Sequence, residues 1–208
     1  MFPLGILKKK YIMALNLQFN GSTADSTLRH ASYGATNVAN ISGELVTTAS
    51  TGTIKYGNAL NDFSLYGDVI ITARFKIPAN HSNHYLFTFS SADDVQRNDA
   101  FAAYFTSEAT PRLAFSLGHG VTGVTPLFVP TENYTPISNT YLDFVFKKLG
   151  DTISVYVNGQ TTPVATQTQA NIRTMDISTN NGHVLQLFGE LSNTNDGTCD
   201  FLTIERKV

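Results

Sequence analysis

Apolar residues recur at every second position along most of this chain, and that period confines it to β-structure. The clearest run is 68–76, where Val69, Ile71, Ala73 and Phe75 fall on one side and Asp68, Thr72, Arg74 and Lys76 on the other. Successive side chains of a strand point to opposite faces, so each such run has one dry face and one wet face. The same period aligns Leu15, Leu17 and Phe19, then Tyr85, Phe87 and Phe89, then Leu113, Phe115 and Leu117. It returns in Leu142, Phe144 and Phe146, which alternate with Asp143 and Lys147, and in Ile153, Val155 and Val157, which alternate with Thr152, Ser154 and Tyr156. Residues 100–106 are apolar on both sides and predict a central strand. Residues 184–190 and 199–206 close the series. No stretch longer than a turn or two carries a 3.6-residue period.

Turn chemistry separates the runs. Leu149-Gly150-Asp151 predicts a tight hairpin, and Asn158-Gly159 is the strongest short turn signal, because both residues tolerate positive φ. Pro111, Pro126, Pro130, Pro136 and Pro163 punctuate loops or strand edges. About a dozen strands in one domain predict two packed antiparallel sheets with apolar faces inward. An exposed edge strand, such as the one bearing Pro163, offers a place for subunits to pair in a homo-oligomer.

Composition agrees and removes other classes. Of 208 residues, 26 are Thr, 17 Asn, 15 Ser and 15 Gly, and charged residues make up only 14%, against roughly 25% in an average soluble domain. The net charge of −2, with no Arg/Lys stripe, argues against nucleic acid as a partner. An apolar content of 42% argues against disorder. No run approaches the ~20 apolar residues of a membrane-spanning helix. The single cysteine, Cys199, excludes a disulfide scaffold and reads as a small buried hydrophobe rather than a nucleophile.

Residues 1–13 stand apart from a sandwich domain over 14–208. A short apolar stretch precedes the basic block Lys8, Lys9 and Lys10, the reverse of the order in a secretory signal. The segment is either an arm whose lysines dock on acidic or phosphate groups of a partner, or an extension upstream of a start at Met13. Without those lysines the rest of the chain holds 11 basic and 16 acidic residues.

The order of strands in the middle of the chain resembles the laminin-G-like branch of the concanavalin-A-like lectin/glucanase superfamily. The resemblance rests on DVIITARFKIP at 68–78, the Phe-rich strand that follows, and TYLDFVFKKLGDTISVYVNGQ at 140–160. Val155-Tyr156-Val157-Asn158-Gly159 matches the family's returning strand, while Tyr141 stands where the family usually has Trp. The likeness covers roughly 14–207. It implies a two-sheet antiparallel jelly-roll sandwich whose last strand, near 199–207, pairs close to the start of the chain. A fold of this kind hosts lectins, hydrolases and interaction modules alike.

Candidate chemistry is sparse. Glucanases of the family carry Glu-x-Asp on one strand, and retaining enzymes need the two carboxyl groups about 5 Å apart. None of the five Glu has an Asp two residues away. Neither a G-x-S-x-G elbow nor a G-x-x-x-x-G-K-[ST] loop is present. The resemblance implies a rim Ca²⁺ site, for which Asp93, Asp94, Asn98 and Asp99, and secondarily Asn193, Asn195 and Asp196, are the candidates; the same residues build ordinary turns. His81 and His84 have H-x-x-H spacing, but a loop or strand does not bring both rings to one metal, so they read as solvated loop residues. Apart from Ca²⁺ no cofactor is expected. Glycan-binding candidates are Tyr33, Tyr66, Tyr134 and the His119 loop, with Tyr56 beside them, since a sugar site combines an aromatic platform with polar loop groups. The Asn-x-Ser/Thr sites at Asn20, Asn40, Asn80 and Asn133 are no more than this composition yields by chance.

The expectation is therefore no enzyme. The chain reads as a β-sandwich surface module of a bacteriophage virion, a capsid-decoration or tail-fibre component made in the cytoplasm without an export signal. Its expected partners are other virion or surface proteins, further copies of itself and host glycans. A free, secreted carbohydrate-binding lectin module and a glycoside hydrolase of the same fold are the alternatives.

Overall fold

A computed structural model describes residues 11–19, 32–49, 52–57, 67–76, 84–91, 101–106, 111–117, 127–129, 139–168, 183–188 and 197–207. Within them the chain forms fifteen strands and no helix. They make two antiparallel sheets packed face to face, as the alternation requires.

The eight-stranded sheet runs in the order β13 (Ala165–Thr168), β12 (Thr152–Val157), β11 (Tyr141–Leu149), β6 (Val69–Lys76), β15 (Thr198–Lys207), β4 (Glu44–Thr47), β3 (Val38–Ile41). Its eighth member, β1 (Tyr11–Gln18), pairs with β15 beyond the short β4 contact. The seven-stranded sheet runs β10 (Leu127–Phe128), β9 (Leu113–Leu117), β8 (Phe101–Phe105), β7 (Tyr85–Ser91), β14 (His183–Leu187), β5 (Thr53–Gly57), β2 (Ser32–Thr36).

The first and last strands pair as the resemblance implied, from Tyr11 opposite Lys207 to Gln18 opposite Phe201. This ladder includes Tyr11, Ile12 and Met13, so pairing reaches back into the segment that sequence set apart from the domain. Lys8, Lys9 and Lys10 lie outside the described residues.

The core is a slab of phenylalanine between the sheets. Phe144 and Phe75 of one sheet stack at 6.3 Å, Phe144 meets Phe87 and Phe115 of the other at 6.1 and 5.2 Å, and Phe146 meets Phe101 at 4.9 Å. Each ring is contributed by the dry face of its strand, and each fully buried one stabilises the fold by roughly 1.5–3 kcal/mol. Lys148 shares this inner side of β11 and is fully buried; its ammonium donates to the Gly67 carbonyl at 2.6 Å.

The turns divide. Gly150 and Asp151 join β11 to β12 directly, with Leu149 opposite Thr152 and Gly150 at φ 60°. Glycine at the first central position suits a type II′ hairpin. Asn158 and Gly159 do adopt positive φ, 49° and 73°, but they open a longer connection rather than a two-residue hairpin. Pairing with β13 resumes only at Val155 opposite Ala165, after Pro163, which has no N–H to extend the ladder. The edge strand is thus β13, and Pro163 precedes it.

Candidate functional site

The wet face of the eight-stranded sheet carries a cluster built where β11, β6 and β15 run side by side. Arg74 at the centre of β6 has Asp143 opposite it on β11 and Phe201 opposite it on β15. The β15 ladder is bulged: Cys199 faces Phe75 and Phe201 faces Arg74, leaving Asp200 as the extra residue. A bulge re-aims side chains, and here both Asp200 and Phe201 reach Arg74. The Arg74 Nε donates to Asp143 Oδ1 at 2.6 Å and Nη2 to Oδ2 at 3.0 Å, while Nη1 donates to Asp200 Oδ2 at 3.4 Å. The guanidinium also sits 5.5 Å from the Tyr141 ring centroid and 5.9 Å from that of Phe201.

Arg74 and Asp143 are each 39% exposed, so a pair of this kind adds at most about 1 kcal/mol to stability. Its effect is geometric, since the two-pronged contact holds both side chains in one orientation. The hydrogen bond with Asp143 is the main reason the Arg74 pKa rises above its already high ordinary value, against a smaller lowering by burial. Arg74 is a permanent cation.

The network continues to the sheet's other strands. The Tyr141 hydroxyl donates to Glu44 on β4, and Lys76 lies 3.4 Å from that hydroxyl, 3.6 Å from Glu44 Oε2 and 4.9 Å from the Tyr141 ring centroid. On the opposite flank Lys147 sits 4.5 Å over the Tyr156 ring. Asn158 ties the loop after β12 to this centre: its N–H donates to the Asp143 carbonyl at 2.8 Å, and its side-chain oxygen accepts from the Asp143 N–H at 3.3 Å. Arg74, Asp143, Lys147, Tyr156, Gln160 and Thr161 surround an open concavity of about 480 Å³. It offers a carboxylate, an amide, hydroxyls, cationic donors and an aromatic ring on a rigid sheet, a set suited to a polyhydroxylated ligand.

Sequence reasoning looked for this chemistry in loops. Tyr66, His119 and Tyr134 lie outside the described residues, as do the calcium candidates Asp93, Asp94, Asn98 and Asp99, and Asn193, Asn195 and Asp196. Tyr33 belongs to β2, opposite Lys55. Tyr56 is not a platform: it alternates with Ile54 on the dry side of β5 and is fully buried. His84 is likewise buried rather than solvated, at the entrance to β7. The signal that was passed over was the presence of Arg74, Asp143 and Tyr156 at outward positions in mid-strand, where Thr or Ser would have sufficed.

Cys199 is fully buried next to the bulge, as expected of a small hydrophobe. Burial, and secondarily the Asp200 charge, pushes its thiol well above the ordinary value. Native protein should therefore not react with a thiol reagent at pH 8, and should release one thiol in urea. A raised folded-state pKa also means that the thiol's contribution is whole below the unfolded value and is lost as pH rises through the folded one. Above roughly pH 9 stability should fall by up to about 1.4 kcal/mol per pH unit from this group. Cys199→Ala should lack that component when urea midpoints at pH 8 and pH 10 are compared. Native labelling at pH 8 would contradict the burial.

No protein-family model matches this sequence, and no curated protein matches it. Solved structures do. A structure of botulinum neurotoxin type C, whose cell entry is described as dependent on interaction with two ganglioside molecules, matches with a TM-score of 0.66 at 14% identity, over 94% of this chain and 48% of that one. The binding domain of botulinum neurotoxin DC in complex with rat synaptotagmin II gives 0.69 at 12%, over 94% and 48%. Domain 4 of AbnA, a GH43 extracellular arabinanase from Geobacillus stearothermophilus, in complex with arabinotriose, gives 0.63 at 14%, over 96% and 94%. This chain spans about half the length of the neurotoxin chains and nearly all of the arabinanase domain. The shared feature is an all-β sandwich.

Proposed function

We propose that this chain is a non-enzymatic binding module whose ligand is a saccharide, held on the wet face of the eight-stranded sheet around Arg74. The observation that carries this is the concavity itself, which Tyr156, Gln160 and Thr161 line together with a fixed Arg74–Asp143 pair. Rings and planar polar groups in fixed orientations are what sugar recognition requires, because a saccharide offers apolar C–H faces and many hydroxyls. The presence of arabinotriose on a neighbour of the same fold supports the ligand class. So does the resemblance to the laminin-G-like, concanavalin-A-like sandwiches. The setting we favour is a virion surface, such as a bacteriophage decoration or tail-fibre component, supported by the low charge and the Thr/Asn/Ser/Gly-rich composition.

Calorimetry and a glycan array test the ligand class. A binding saccharide should lose about 10-fold or more in affinity on Tyr156→Ala or Arg74→Ala, the loss of one hot-spot side chain. Both variants should keep the wild-type thermal midpoint within a few degrees, because both residues are on the wet face. No saccharide bound by the wild type would remove the reading. Absence of the chain from purified particles would remove the virion setting alone.

A further inference from the structure

The concavity's charges are arranged in a way that chooses among saccharides. Resting on the binding reading above, we infer that the site takes neutral saccharides and rejects uronate-bearing or sialylated ones. An acidic sugar binds best to an arginine whose fork is free. Here Asp143 fills the side-on fork and Asp200 takes a third N–H, leaving two of the five donors. Two of the three Arg74 nitrogens donate to Asp143 at 2.6 and 3.0 Å and the third to Asp200 at 3.4 Å. An incoming carboxylate would find the side-on fork taken, would meet only the two N–H groups left over, and would be repelled by both Asp143 and Asp200.

Paired in this way, Asp143 becomes an oriented acceptor. A carboxylate held by an arginine cannot swing, and each oxygen keeps a lone pair beside the space that Asp143 lines. Neutral hydroxyls, which are donors as well as acceptors, fit such a group; a sugar carboxylate does not. Arg74 is then a positioning residue for Asp143 rather than the contact for an anion. Asn158 serves the same end from the backbone side, clamping the N–H and C=O of Asp143. Lys147 remains as a cation at the rim, but it lies over the Tyr156 ring, and a single lysine does not supply the two-pronged contact that a carboxylate gains from arginine.

The test is a glycan array of neutral, uronate-bearing and sialylated oligosaccharides probed with the full chain, followed by calorimetry on the best ligand and its carboxylated counterpart. Neutral hits should weaken by about 10-fold or more when a carboxylate is added, and their affinity should change little between 50 and 500 mM salt. Asp143→Asn keeps the shape but frees the fork; it should weaken the neutral ligand about 10-fold and improve the acidic one, narrowing or reversing the preference. Arg74→Lys keeps the charge but loses the fork, and should weaken neutral binding nearly as much as Arg74→Ala. Acidic hits with steep salt dependence, or an Asp143→Asn variant with unchanged preference, would overturn the inference and leave the binding reading standing. An array with no hits would remove both.

Discussion

Phe144→Ala should lower the stability of this protein by about 3–5 kcal/mol, the usual cost of removing a buried phenylalanine. The reason lies in how many rings lean on this one. Phe144 is on the dry face of β11 and spans the gap between the sheets, touching Phe75 on its own sheet and Phe87 and Phe115 on the other. Truncation removes the transfer energy of the ring and leaves a void lined by three rigid aromatics that cannot collapse into it. For a chain of this size, about 2–4 °C is expected per kcal/mol, so the thermal midpoint should fall by about 6–20 °C. The effect should reach the site as well, since Phe144 lies next to Asp143 in the same strand. A midpoint within 2 °C of wild type would show that the two sheets are not packed through this residue.

Gly52→Ala should be costly for a different reason. A Cβ at this position would lie 2.7 Å from the Asn37 carbonyl oxygen and 2.7 Å from both Cβ and Cγ2 of Thr47. One of these is backbone and cannot rotate away. Gly52 is in the connection from β4 to β5, where the chain passes from one sheet to the other, and Thr48 is tied there to Asn37 by a 2.8 Å backbone bond. Glycine to alanine at a permissive site stabilises by about 0.4–1 kcal/mol through the unfolded state. Here the overlap should outweigh that gain, and the variant should lose about 1–3 kcal/mol. Gly159→Ala is the informative comparison: its φ of +73° is unfavourable for alanine, but nothing lies within 4 Å, so it should lose only about 1 kcal/mol. Equal midpoints for the Gly52 variant and wild type in a thermal melt would contradict the close approach.

Much of the fold was legible because sidedness in a strand is local. The alternation in 68–76, 142–146 and 153–157 identified the buried residues of β6, β11 and β12 without knowledge of any partner. The region 32–57 was not legible. Its strands β2 to β5 are four or five residues long and hold many Ser, Thr, Asn and Gly, so each is too short for a period to be told from chance, and Leu45, Ile54 and Tyr56 are buried through the tertiary packing of the core. Tyr56 shows the consequence: without a visible period, a core tyrosine was indistinguishable from a surface one.

The site divides along the same line. The sequence alone determined that Arg74, Asp143, Lys147 and Tyr156 face outward, since each occupies the polar phase of its own strand. It did not determine that they meet. Arg74 and Asp143 are 69 residues apart, and Arg74 and Asp200 are 126 apart. They are brought together by the register of β11 and β15 on β6 and by one extra residue in β15. Register and bulges are set by which apolar faces must be buried together across the whole sandwich, a condition that no local stretch of sequence contains.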